Sequence, residues 1–101
     1  MIFCFKFEFK TFSLTATKNM KISVEISYYP IRDGFIPHIV DFIHRLKARE
    51  DVEVISNTMS TQVFGDYDAV MDSLRSEIRK SFELPDSMFV MKIFNGDTRE
   101  L

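Results

Sequence analysis

The stretch Met20-Lys21-Ile22-Ser23-Val24-Glu25-Ile26-Ser27-Tyr28-Tyr29-Pro30 decides how the chain folds. Ile22, Val24, Ile26 and Tyr28 alternate with Ser23, Glu25, Ser27 and Tyr29. Successive side chains of a strand point to opposite faces, so this is a strand with one apolar and one polar face. Pro30 cannot donate to a ladder and ends it, and Arg32-Asp33-Gly34 supplies a turn.

Downstream, Pro37 suits the first turn of a helix, where its missing N–H costs nothing. Ile36, Ile39, Val40, Ile43 and Leu46 recur at helical spacing and predict a stripe against a core. Arg45, Lys47, Arg49 and Glu50 fall at the solvent end. Val52 to Ser60 reads as a second strand and Thr61 to Phe64 as a third, ending at Gly65. No Asn-Gly hairpin signal separates them. Asp66 is an N-cap candidate. Tyr67, Val70, Met71, Leu74, Ile78 and Phe82 form the next apolar stripe, with Arg75, Arg79 and Lys80 toward water, and Pro85 stops the helix. Ser87 to Asn95 is a last strand, apolar on both faces except at Lys92.

The order is β-α-β-β-α-β. Two such helices cover one face of a four-stranded sheet, and right-handed crossovers then give the split βαβ arrangement. The expected fold is α+β and ferredoxin-like, an antiparallel sheet with both helices on one face. The other face, carrying Glu25 and Tyr29, needs a ligand or another subunit.

Upstream, Phe3, Phe5, Phe7 and Phe9 alternate with Cys4, Lys6, Glu8 and Lys10, again at period two. Residues 11–19 are polar and small and read as a linker. Residues 1–19 are therefore set apart as an extension from a domain over 20–101. The extension is either an extra edge strand or sequence upstream of a natural start at Met20, and the second reading is favoured. A free strand with four exposed Phe would invite aggregation, so if present it should be covered.

The 101 residues suffice for one domain. A net charge of −2 argues against nucleic-acid binding through bulk charge. The lone cysteine, Cys4, allows no intrachain disulfide and no Cys/His metal cluster. No stretch approaches the roughly 18 apolar residues of a membrane span, and no secretory signal is evident. A cytoplasmic protein without membrane or nucleic-acid partners is expected, and no cofactor.

Three segments in order carry a family resemblance: residues 20–30, Met59-Ser60-Thr61-Gln62-Val63-Phe64-Gly65, and Phe89-Val90-Met91-Lys92-Ile93-Phe94-Asn95-Gly96. Together they resemble the thiamine-binding protein family, the group related to the YkoF-type thiamine and hydroxymethylpyrimidine-binding domain. The resemblance spans roughly residues 20–97 and is strongest at Tyr29-Pro30 and Ser60-Thr61. It implies a ferredoxin-like fold, homodimers or homotetramers built through the sheets, and thiamine or its pyrimidine as ligand. The extension departs from the family pattern.

Thiamine presents a cationic thiazolium and an aminopyrimidine, so a site needs an anion or π-face plus donors and acceptors. Glu25, Tyr29, Asn57, Ser60 and Thr61 offer those chemistries. Glu25 is either a charge partner for the ligand or a solvated or subunit-contact residue. Ser60 and Thr61 either bond the pyrimidine or satisfy a strand junction, and the family match favours the ligand. Asn57 either joins them or fills a bulge. Tyr29 either stacks on a ring or packs at a strand end, and Ser27 shares its face. His38 and His44 lie about 240° apart around a helix and cannot share a ligand. The methionines read as core or interface filler.

The expected function is a carrier or sensor that binds thiamine or hydroxymethylpyrimidine without catalysis. The alternative is an oligomeric interaction domain with no physiological ligand. An acylphosphatase-like enzyme lacks its glycine-rich phosphate loop, and no nucleophile set or paired carboxylates stand out. An RNA-binding domain lacks an RNP-like motif.

Overall fold

Strand β1, Lys21–Pro30, is the spine on which the other elements assemble. The computed structural model describes residues 20–31 and 34–101, so the strand and linker expected over residues 1–19 and part of the turn at Arg32-Asp33-Gly34 lie outside the described residues. After β1 come α1 (Phe35–Lys47), β2 (Glu53–Ser56), β3 (Thr61–Asp66), α2 (Tyr67–Ser81) and β4 (Ser87–Phe94), then a 3-10 turn over Thr98–Glu100. The sheet order is β2-β3-β1-β4, with antiparallel neighbours throughout. The expected α+β ferredoxin-like fold is present.

The alternation of β1 is used as read. Ile22, Val24, Ile26 and Tyr28 are buried in the core with Val63 of β3, Phe42 and Leu46 of α1, and Val70 and Leu74 of α2. The helices rest chiefly on β1, β2 and β3. Tyr28, Phe42 and Phe89 form an aromatic cluster, with centroids 4.4 Å apart for Tyr28–Phe89 and 5.6 Å for Tyr28–Phe42. Such pairs add to the burial of large apolar surface.

Both helical stripes keep most of their expected members, Ile39 and Leu46 in α1 and Val70, Met71, Leu74 and Ile78 in α2, but Ile36, Val40, Tyr67 and Phe82 are exposed. In α1 the buried line is Phe42 and Leu46, with Ile39 and Ile43 half-buried, while Ile36 and Val40 are exposed. Arg45 and Arg49, expected in water, instead face α2. Arg45 donates to Glu77 Oε1 at 2.7 Å and Ser81 Oγ at 2.7 Å, and Arg49 donates to Glu77 Oε2 at 3.1 Å. The face of α2 against α1 is thus Ser73, Glu77 and Ser81. Tyr67 and Phe82 lie toward solvent. Burial alone would raise the Glu77 carboxyl, but the hydrogen bonds and charges of Arg45 and Arg49 outweigh it and hold it below its ordinary range.

Two boundaries also move. The second strand is confined to Glu53–Ser56, because residues 57–60 form a turn. The third continues through Gly65 to Asp66. A side chain at Gly65 would press on Val70 at 3.3 Å and the Asp51 carbonyl at 3.4 Å, so glycine permits close approach there. Asp66 occupies the N-cap position of α2 but makes no capping hydrogen bond; its carboxylate pairs with Lys21 at 3.0 Å.

Phe42 is fully buried, whereas Ile36 is 62% exposed. Phe42→Ala is expected to lower the unfolding free energy by about 3–5 kcal/mol, and Ile36→Ala by less than about 0.5 kcal/mol. Urea denaturation of both variants checks this. Equal losses would mean that the stripe runs through Ile36 after all.

Candidate functional site

The two ladders of β1 have unequal lengths. Its pairing with β4 runs from Ser23↔Phe94 to Pro30↔Ser87, but its pairing with β3 stops at Ile26↔Thr61. Among the described residues, Ser27 to Pro30 therefore have no strand beside them on the β3 side. The β2–β3 turn stands in that gap. The Asn57 side-chain carbonyl accepts from the Met59 N–H at 2.8 Å and the Ser60 N–H at 3.1 Å, while the Asn57 N–H donates to the Ser60 carbonyl at 3.1 Å. A short polar side chain that bonds to the backbone two and three residues on is a turn device. It replaces the absent Asn-Gly signal.

Between this turn, the end of β1 and α1 lies a cleft of about 200 Å³. Ser27, Tyr29, Asn57, Ser60 and Thr61 line it, with Thr58 beside them and an apolar wall from α1 that includes Phe42. Five of the six expected site residues are thereby brought together. The roles differ. Thr61 Oγ1 lies 3.2 Å from Ser56 Oγ and is buried. The Asn57 carbonyl is committed to the turn. The hydroxyls of Ser27, Tyr29, Thr58 and Ser60 have no hydrogen-bond partner among the described residues, so each is available. Among the described residues, the cleft is lined by no Asp, Glu, Lys, Arg or His side chain.

The sixth expected residue, Glu25, lies elsewhere. It sits on the open sheet face opposite Gln62 and Lys92, and its carboxylate is 3.2 Å from Lys92 Nζ. That pair borders a broader groove of about 440 Å³ that also includes Gln62, Phe64, Phe94 and Thr98. Thr98 lines one end of this groove, in a C-terminal segment tied to β1. Ser23 Oγ donates to the Gly96 carbonyl at 2.7 Å and accepts from the Thr98 N–H at 3.0 Å. Arg99 lies 4.1 Å above the Phe64 ring centroid and pairs with Glu53 at 3.0 Å and Asp97 at 2.7 Å. Phe64 is consequently buried although it faces away from the helices. The only sequence signal was Ser23, a small hydroxyl in a strand.

Among the described residues no group of His, Cys, Asp and Glu is placed to hold a metal ion. No helix among them is long and apolar enough to cross a membrane. His38 and His44 are exposed on α1.

Known structures share this architecture. A Streptococcus pneumoniae protein superposes with a TM-score of 0.71 at 24% identity, covering 81% of this chain and 93% of that one. The likeness is one of fold. A "putative thiamine biosynthesis/salvage protein" of Thermotoga maritima matches with a TM-score of 0.65 at 17% identity, over 79% of this chain and 92% of that one. A hypothetical protein of Methanocaldococcus jannascii matches with 0.65 at 20% identity, over 77% and 82%. No protein-family model matches the chain, and no curated protein does.

The hydrogen bonds and charge of Arg99 push the Asp97 carboxyl down to about 2. A carboxyl lowered in the folded state stabilises it above the ordinary range and loses that contribution as pH falls through the lowered value. The Asp97–Arg99 pair is expected to persist down to about pH 2, and Arg99→Gln to return the midpoint toward 3.8. Carboxyl-carbon NMR titration reads both midpoints, and an Asp97 midpoint near 3.8 in the unaltered chain would contradict the pairing.

Proposed function

We propose that the protein is a non-catalytic cytoplasmic carrier or sensor for a small aromatic heterocycle, the hydroxymethylpyrimidine moiety of thiamine. The observation that carries this reading is the convergence of Ser27, Tyr29, Asn57, Ser60 and Thr61 on one uncharged cleft. The fold shared with the Thermotoga maritima protein is consistent with it.

The size and chemistry of the cleft refine the choice of ligand. At about 200 Å³ it is smaller than the roughly 300 Å³ at which drug-sized sites begin. One ring fits that space better than two. A hydroxyl-lined wall can donate to ring nitrogens and accept from an amino group, and the Tyr29 ring, half exposed at the rim, offers a stacking face. Among the described residues no carboxylate lines the cleft to meet a thiazolium, and Glu25, further along the same face of β1, is engaged with Lys92. Thiamine would then be held by its pyrimidine, with the cationic ring outside.

A second reading, an interaction domain without a small ligand, draws on the open face. Tyr29, Ile55, Met88, Val90 and Phe94 are all exposed there. Exposed apolar side chains on both sides of the Glu25–Lys92 pair suit a second copy of the chain in a homodimer or homotetramer.

Calorimetry separates the two readings. Hydroxymethylpyrimidine is expected to bind saturably and thiamine no more tightly. Ser60→Ala should weaken binding about three- to tenfold, the effect of one hydrogen bond, and Lys92→Gln should leave it unchanged. The absence of heat with either compound at high micromolar concentration would leave the interaction domain as the better account.

A further inference from the structure

The turn that borders the cleft holds an apolar side chain out in water. Within Ser56-Asn57-Thr58-Met59-Ser60, Met59 is the one apolar residue, and it is 87% exposed. A single exposed apolar residue needs no explanation on its own. This one, however, lines the cleft. Its backbone is fixed, because the Met59 N–H donates to the Asn57 side-chain carbonyl at 2.8 Å and the Ser60 N–H donates to the same oxygen at 3.1 Å. The base of the side chain therefore stays in place, while the unbranched arm beyond it turns about three bonds.

The cleft supplies what such an arm can cover. Ile39, Phe42 and Ile43 of α1 form one wall, and Met59 comes from a different element bordering the same space. A flat ring lodged against that wall keeps its second face toward water. A thioether suits that face, because it is polarizable, adapts its shape and packs favourably on aromatic rings. Closing over the ring removes apolar surface of both partners from water. It requires only side-chain rotation, with the turn left as it is.

We propose that Met59 is the lid residue of this cleft, folding over a bound aromatic ring and favouring flat heteroaromatic ligands. The inference rests on the reading of the cleft as a hydroxymethylpyrimidine site. Asn57 then holds the backbone, the Ser60 hydroxyl meets the ring edge and Met59 covers the ring's open face. Ordering a flexible side chain offsets part of the gain, so the contribution to affinity is modest.

Methyl-labelled methionine in the full chain reads the lid directly, with the Met59 signal assigned from Met59→Leu. Saturating hydroxymethylpyrimidine should move the Met59 methyl upfield, as a methyl over a ring face does, with the dissociation constant that calorimetry gives. The methyls of Met20 and Met71 should stay in place. Met59→Ala should bind the compound about three- to tenfold more weakly, with the amide pattern of β1 and β3 showing an unchanged fold. Binding that leaves the Met59 methyl unmoved, or an alanine variant that binds as tightly as the unaltered chain, overturns the lid role and leaves the site assignment standing. No binding by the unaltered chain overturns both.

Discussion

The structure depends on the pairing of β1, and above all on where that pairing stops. A central strand must satisfy its backbone groups on both sides. β1 does so with β4 along Ser23–Pro30 but with β3 only as far as Ile26. The apolar alternates hold both helices on one face. Among the described residues no strand flanks the four residues beyond Ile26 on the β3 side, and the Asn57 turn stands there. The cleft is therefore a consequence of β3 starting at Thr61 rather than earlier. Ser60 and Thr61 lie where turn becomes strand, which brings their side chains to the cleft.

The two ends of the sheet differ in character. At the β2–β3 turn the lining is neutral, and the hydroxyls of Ser27, Tyr29, Thr58 and Ser60 have no partner among the described residues. At the other end the chain closes on itself: Ser23 fastens Gly96 and Thr98, and Arg99 covers Phe64 while paired with two carboxylates. Charge concentrates where the structure is fastened, and uncharged polar groups stay available where a ligand could enter. Glu25, the obvious acidic candidate, belongs to neither set, because its opposite neighbour in the ladder is Lys92.

The strand pattern was legible because period two is unambiguous over ten residues, and β1 buries the four side chains it promised. The helical stripes were harder. Ile36, Val40 and Phe82 satisfy apolar periodicity as well as Phe42 does, and only packing against a particular neighbour decides which are covered. The polar clamp of Arg45, Arg49, Glu77 and Ser81 was illegible for the same reason, since charged residues at helical spacing usually mark solvent. For the site, Ser27, Tyr29, Asn57, Ser60 and Thr61 were found as individual polar residues near strand ends. That they share a cleft and that Glu25 does not depends on register, which alternation alone does not specify across strands. The role of Asn57 as a turn holder was hidden because its hydrogen bonds run to its own backbone.

The central claim is that the end of β1 and the Asn57 turn form the binding site. Amide chemical-shift mapping with hydroxymethylpyrimidine tests it most directly. The account predicts saturable shifts at residues 27–29 and 57–61, with little change around Glu25 and Lys92. Shifts centred on Glu25, Gln62 and Lys92, or none at all, would contradict it.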